Sequence, residues 1–265
     1  MEKKNIIKAS IILYENRINK KMINSFPKEC IPINFDEAYK IQDELMKLYL
    51  SIKNNKLLGK KVGCTNNKAQ AQLNINTPFY GNLFSNYSNK NGCKLYSKNF
   101  TNPYIEPEFS FKINQDIDIS KAPFDYNDVI KFIKSIIPSI EIVDFRFNGN
   151  IKNIGVYNIV ASNAASEYWI QGEKEFEWNS IDLYNHSVEV FINNKFIEKG
   201  NSSNVLQNPI NSLLWIINNL AKKNEPILKN YIISTGTCTS AIQLNENSKI
   251  KVDFNDLGNV EFDYN

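Results

Sequence analysis

The sequence predicts an α+β fold in which a helical N-terminal region, residues 1–56, leads into a β-rich body, residues 57–265. Three observations carry this expectation. Apolar residues recur at helical spacing through the first part of the chain. The pattern changes at Leu57 to short apolar runs broken by Asn, Gly and Pro. No internal repeat or long flexible linker separates the two parts, so the helices are expected to pack directly on the sheet.

Ile6, Ile7, Ser10, Ile11, Tyr14 and Ile18 form a stripe that predicts a first helix, joined to the next through a loop carrying Pro27 and Pro32. Asn34-Phe35-Asp36-Glu37 reads as a capping box. Ala38, Ile41, Leu45, Leu48 and Ile52 follow at helical spacing, which predicts an amphipathic helix from about Asp36 to Ile52. In the β-rich part a helix is predicted at Val129–Ile137, ended by Pro138. Val188–Ile192 and Phe196–Lys199 flank Asn193-Asn194, and Asn tolerates the positive φ that a two-residue hairpin turn demands. Asn208 suits a helix cap with Pro209 at the first helical position. Ile210, Leu213, Leu214, Ile217 and Leu220 supply that helix with a buried stripe, and its end is expected near Lys223.

At 265 residues and 42% hydrophobic content the chain is long enough for a sizeable core, as one large domain or a small one plus a large one. The formal charge of +3 comes from 31 basic and 28 acidic residues mixed along the chain, which does not predict nucleic-acid binding. Lys8 interrupts the N-terminal apolar patch and no small-residue cleavage site follows, so no signal peptide is predicted. No apolar stretch approaches the roughly 20 residues of a membrane-spanning helix, and no membrane association is expected. Cys30, Cys64, Cys93 and Cys238 are widely separated, which suggests neither zinc nor a disulfide framework and fits a reducing cytoplasm.

Glu106-Pro107-Glu108 places two carboxylates at i and i+2, on one face of a strand, and Glu141 interrupts the apolar run from Ser139 to Phe145. A neighbouring strand aiming Glu141 at the same point would complete a site of hard oxygen ligands suited to Mg²⁺ or Mn²⁺. The ordinary alternative for Glu106 and Glu108 is the wet face of a half-buried strand, and for Glu141 a buried ion pair. Asp144 and Arg146 read as a structural pair. Gly59-Lys60-Lys61-Val62-Gly63 brackets two lysines with glycines, allowing close backbone approach to a ligand or simply marking a strand start. Ser234-Thr235-Gly236-Thr237 follows the apolar strand Tyr231-Ile232-Ile233 and suits either an anion-binding turn or a plain strand end. His186 is the only histidine, and it reads as a strand residue without catalytic duty.

Taken together, Asp36 to Gln42, Gly59 to Thr65, Pro78-Phe79-Tyr80-Gly81, Ile105 to Glu108, Glu141 to Arg146, Asn208-Pro209 and Thr235-Gly236 resemble the fumarylacetoacetate hydrolase superfamily. Within it they resemble the 2-keto-4-pentenoate hydratase and 2-oxo-4-oxalocrotonate decarboxylase branch. The resemblance implies a mixed β-roll or sandwich with a catalytic β-rich domain, often as a homo-oligomer. It implies Glu106, Glu108 and Glu141 as ligands of Mg²⁺ or Mn²⁺, Lys61 as the catalytic lysine, and Thr235 and Gly236 as substrate-binding residues. The implied substrate is a small 2-oxo or 2-hydroxydienoate acid from aromatic-compound catabolism, hydrated by a lyase to a 4-hydroxy-2-oxo acid. The alternatives are a 2-oxo acid decarboxylase, a C–C hydrolase of the same superfamily, or a non-catalytic metal- and oxo-acid-binding relative. The hydrolases use a His–Glu pair on an N-terminal lid, which this chain lacks. Phe79 stands where hydratases of the branch carry Asp, and Ser162-Asn163-Ala164-Ala165 stands where they carry Asp-Asn-Ala-Ser. Desolvation and a metal are also expected to lower the Lys61 ammonium towards neutrality for proton transfer.

Overall fold

The computed structural model describes all residues, Met1–Asn265. The helices are α1 (Lys3–Ile18), α2 (Phe35–Leu50), α3 (Asn67–Leu73), α4 (Tyr126–Ile130), α5 (Ile151–Ile154), α6 (Val156–Ala161) and α7 (Pro209–Lys222). The strands are β1 (Leu57–Gly63), β2 (Phe79–Phe84), β3 (Ser88–Lys90), β4 (Cys93–Leu95), β5 (Pro103–Ile113), β6 (Ile133–Asp144) and β7 (Ser166–Gln171). They continue as β8 (Ser187–Ile192), β9 (Lys195–Asn201), β10 (Ile232–Thr237), β11 (Ile242–Gln243), β12 (Ser248–Asp253) and β13 (Asn259–Tyr264).

The larger sheet runs β2-β1-β10-β5-β6-β7-β3, with β11 paired to β5, and the smaller runs β4-β13-β12-β8-β9. No barrel closes, but the larger sheet curls until β2 and β7 approach each other. Its outer face belongs to one continuous core that reaches from Ile6 and Leu13 of α1 to Val260 and Phe262 of β13. Its inner face carries a small separate apolar cluster, Leu83, Ile137, Trp169 and Ile232, beside a run of polar side chains.

Local chemistry explains the elements. Asn34 accepts a hydrogen bond from the Glu37 N–H at 2.9 Å and Glu37 reaches back to the Ile33 N–H at 3.0 Å, which starts α2 one residue earlier than predicted. Gln42 of α2 donates to the carbonyls of Tyr80 and Val160, tying the helix to the sheet. In α1 the buried face is Ile6, Ala9, Ser10, Leu13 and Arg17, so Ile7, Ile11 and Ile18 of the predicted stripe are exposed. The rotation follows from Arg17, whose guanidinium turns inward to Glu167. Asn193 and Asn194 both take positive φ (52° and 63°) and close the β8–β9 hairpin as expected. Asn208 caps α7, with Pro209 at its start and its end at Lys222.

The predicted helix at Val129–Ile137 is not formed. Only Tyr126–Ile130 is helical, and Ile133 onward belongs to β6. Ile130, Ile133 and Ile137 sit at helical spacing, but the segment is rich in β-branched residues and from Ile133 onward it pairs with β5, and that pairing outweighs a local signal. Pro138 lies inside β6 rather than ending a helix. Its carbonyl accepts from Gly172 N–H just past the end of β7, where the ladder is finishing and a missing donor costs little.

Candidate metal centre

Strand register assembles the site. Glu106 and Glu108 alternate on β5, and Glu141 of β6 lies directly opposite Glu106. One carboxylate oxygen from each of the three lies within 4.8 Å of the others. Glu108 and Glu141 are fully buried and Glu106 is half-buried. Pro107 between them sends its side chain to the core, and its carbonyl accepts from Cys238 N–H beside a bulge in β10, where no ladder donor is required of it.

Glu108 is held in place by the chain itself. Its Oε2 accepts from Ser234 Oγ at 2.5 Å and from Gly236 N–H at 3.0 Å. Ser110 Oγ donates to Ser234 Oγ at 2.9 Å and lies 2.8 Å from Ser139 Oγ, and Trp169 Nε1 donates to Ser110 at 3.3 Å. These hydroxyls share the inner face with the glutamates, since Ser234 pairs with Ser110 and Ser139 with Glu108. In the sequence this relay shows only as Ser110 two residues after Glu108. The other partners come from distant strands.

Lys61 of β1 reaches the same point, with Nζ 3.0 Å from Glu141 Oε2 and only 2% of the side chain exposed. The contact is an ion pair without hydrogen-bond geometry, and both Glu141 oxygens lack a hydrogen-bond donor, as does Glu108 Oε1. Burial opposes the Lys61 charge, but Glu141, Glu106 and Glu108 outweigh it, so the ammonium is held above its ordinary range. With carboxylates alone around it, Lys61 therefore departs from the expected lowering and stays charged. Burial lifts the Glu106 carboxyl to about 7, with Lys61 pulling it down and Glu141 pushing it up. Burial and the two other carboxylates raise Glu108 well above the usual carboxylate range, against Lys61 and Ser234.

Thr235 and Gly236 stand at this site but are engaged by the protein. The Thr235 hydroxyl donates to the Phe109 carbonyl at 2.7 Å, and the Gly236 N–H is committed to Glu108. His186 lies just before β8, with Nε2 2.7 Å from the Phe254 carbonyl and its ring against Phe109, a structural position. Asp144 and Arg146 pair at 3.1 Å as expected, within a network that also holds Glu167 and Arg17. Phe79 is buried and lies against Gly63, and Asn163, Ala164 and Ala165 all take positive φ in a turn locked to β2 by Asn163–Asn82 hydrogen bonds. A cavity of about 680 Å³ opens over Glu106, lined also by Tyr104, Asn66, Lys68, Glu198 and Thr237.

Hard oxygen donors, enclosed and partly unpartnered, fit a divalent cation. If every group ionises, three carboxylates against one ammonium leave two negative charges unbalanced in a buried place, which a dication neutralises.

Comparison with known proteins agrees with this chemistry. No family model matches the chain. 4-Oxalocrotonate decarboxylase of Pseudomonas putida is 30% identical over 245 residues, covering 91% of this chain and 88% of the relative. This chain belongs to the fumarylacetoacetate hydrolase superfamily. Its branch of that superfamily contains hydratases as well as decarboxylases: 2-keto-4-pentenoate hydratase 1 of Dechloromonas aromatica (strain RCB) is 28% identical over 226 residues, 85% of this chain and 84% of the relative. Among solved structures of the superfamily, 4-oxalocrotonate decarboxylase from Pseudomonas putida G7, complexed with magnesium and adipate, matches with a TM-score of 0.93. It is 26% identical and covers 100% of this chain and 99% of that one. Fumarylpyruvate hydrolase from Pseudomonas aeruginosa, in complex with Mn²⁺ and pyruvate, matches 79% of this chain with a TM-score of 0.59 at 8% identity, which shows the shared fold alone. No helix is long and apolar enough to cross a membrane.

Proposed function

We propose that this superfamily member is a divalent-metal-dependent lyase acting on a small 2-oxo or 2-hydroxydienoate acid, hydrating a 2-hydroxypenta-2,4-dienoate-like substrate to a 4-hydroxy-2-oxo acid. The observation that carries the reading is the convergence of Glu106, Glu108 and Glu141 on one buried point with carboxylate oxygens left free. Those three residues would hold Mg²⁺ or Mn²⁺. When bound, the cation supplies Lewis-acid stabilisation of the enolate charge that develops on the substrate's 2-oxygen.

The chain's own residues do the rest. Ser234 and the Gly236 N–H fix the Glu108 carboxylate, so the ligand geometry is set before substrate arrives. Lys61 keeps a positive charge beside the carboxylates, which offsets their repulsion of an anionic substrate and places an ammonium N–H donor beside the ligand carboxylates. The Glu106 side of the site opens to the cavity, while Glu108 and Glu141 are closed to solvent, so the acid enters past Glu106. Incubation with Mg²⁺ and 2-hydroxypenta-2,4-dienoate should consume the dienoate absorbance. Equal consumption by Glu108→Ala would refute the assigned site.

Decarboxylation is the second reading, and Phe79 favours it. Hydration needs a base to deliver water, whereas Phe79 and Ala165 are buried apolar residues, and Ser162 is a neutral one, at positions where the resemblance gives hydratases two acids and a hydroxyl. Loss of CO₂ needs only that the remaining electron pair be delocalised towards the 2-oxygen. Release of CO₂ from 4-oxalocrotonate with no dienoate turnover would select it. We further propose a homo-oligomer, checked by light scattering, and a cytoplasmic setting, where the four free thiols are stable.

A further inference from the structure

Four buried polar atoms in or against the glutamate cluster lack a hydrogen-bond partner: Glu141 Oε1 and Oε2, Glu108 Oε1 and Thr65 Oγ1. The first three are carboxylate oxygens that a cation would take up. Thr65 differs, because a neutral hydroxyl both donates and accepts, and burying one with neither role filled is unfavourable. The residue is 1% exposed, as enclosed as Glu108 and Glu141.

Its placement is specific. Cys64, with φ of 62°, turns the chain out of β1, and the Thr65 carbonyl is fixed by Leu206 N–H at 2.9 Å. The side chain is thereby pressed against Gly236, where an added Cβ would lie 2.1 Å from Thr65 Oγ1. Gly236 is the residue whose N–H holds Glu108, and its neighbour Thr237 lines the cavity, as does Asn66 next to Thr65. An unspent donor therefore stands behind the cavity wall, one residue from lining residue Asn66 and against the glycine that holds a ligand position, and it has no internal task.

We propose that Thr65 is a substrate-binding residue, whose hydroxyl donates a hydrogen bond to a carboxylate oxygen of the 2-oxo acid. The inference rests on the proposed oxo-acid activity, and it assigns to Thr65 the substrate contact that the hydroxyl of Thr235 cannot make, being spent on Phe109.

The test uses wild type, Thr65→Val and Thr65→Ser, each loaded with Mg²⁺ and titrated calorimetrically with oxalate, with Mg²⁺ affinity and thermal melting measured separately. Val keeps the shape and removes only the hydroxyl. The expected result for Thr65→Val is oxalate affinity lower by about tenfold, the loss of one hydrogen bond to a charged group, at unchanged Mg²⁺ affinity. Its melting temperature should be unchanged or higher, because an unpartnered buried hydroxyl has been removed. Thr65→Ser should bind oxalate within about threefold of wild type. In turnover the Val variant should lose through KM more than through kcat. Wild-type oxalate affinity in Thr65→Val overturns the proposal, and so does a lost affinity accompanied by lower melting temperature and weaker Mg²⁺ binding, the signature of a structural residue. Failure of Mg²⁺-loaded wild type to bind oxalate refutes the oxo-acid reading itself, and this inference falls with it.

Discussion

Two buried charge clusters sit on neighbouring strands of one sheet, and they are built on opposite terms. Around Glu167, two guanidiniums (Arg17, Arg146) face two carboxylates (Asp144, Glu167), and every carboxylate oxygen meets a donor or a cation. Arg17 is further stacked between Tyr49 and Tyr87. Around Glu141, three carboxylates share one ammonium, and three of their oxygens have no hydrogen bond. The titration directions follow suit. Burial opposes the charge on Glu167, yet Arg17, Arg146 and Lys20 outweigh it and lower its pKa, whereas burial dominates at Glu106 and raises it. A network that only holds the fold together balances its own charges, even though Arg17 Nε and Arg146 Nε make no hydrogen bond within their ion pairs. A cluster left short of positive charge and of donors is completed by something from outside.

That contrast breaks first at Glu167. Glu167→Ala should cost roughly 3–5 kcal/mol of stability in denaturant unfolding, because two buried guanidiniums lose their counter-charge. A loss under about 1 kcal/mol would mean that the network is not the self-sufficient one described. Glu141→Gln should do the reverse: turnover falls by about 10²–10³-fold, while the metal-free protein is as stable as wild type or more so, since the cluster loses one of its two excess negative charges and Lys61 keeps Glu106 and Glu108 as counter-charges. If that variant unfolds as readily as Glu167→Ala, the two clusters are alike and the distinction fails. Mg²⁺ at about a hundred times its dissociation constant should then stabilise wild type by roughly 2.7 kcal/mol and leave Glu141→Gln much less affected, with chelator reversing the gain. The smallest effect concerns acid. A carboxylate with lowered folded pKa stabilises above its unfolded value, 4.5, and loses that contribution as pH falls through the folded value. The stability difference between wild type and Glu167→Gln should therefore be full at pH 6 and shrink below about 4.5. A difference that holds constant from pH 6 to 3 would sink the assignment.

Legibility in the sequence followed range. The β8–β9 turn is readable because Asn193 and Asn194 must themselves take positive φ, and α7 because Asn208 and Pro209 act on adjacent backbone. The three glutamates could be named because a carboxylate in an apolar strand is conspicuous and i, i+2 spacing puts two on one face. The Val129–Ile137 segment misled because isoleucines at helical spacing fit a twelve-residue strand equally well, and the choice was made by β5. The burial of Arg17, the Ser110–Ser234 relay and the unspent hydroxyl of Thr65 left no local trace, since each is defined by a partner more than a hundred residues away.

By itself the sequence determined the chemical inventory: hard oxygen ligands on β-prone segments, a glycine-bracketed lysine, caps and turns that begin and end the elements, all properties of a residue and its near neighbours. Only the tertiary structure decided that Glu106 faces Glu141, that Lys61 reaches them across β10, and which hydroxyls are satisfied and which stand free. The reason is physical. Side-chain type and local propensity are carried by the chain, but convergence and desolvation arise from strand register, and register is set by the burial of the whole sheet.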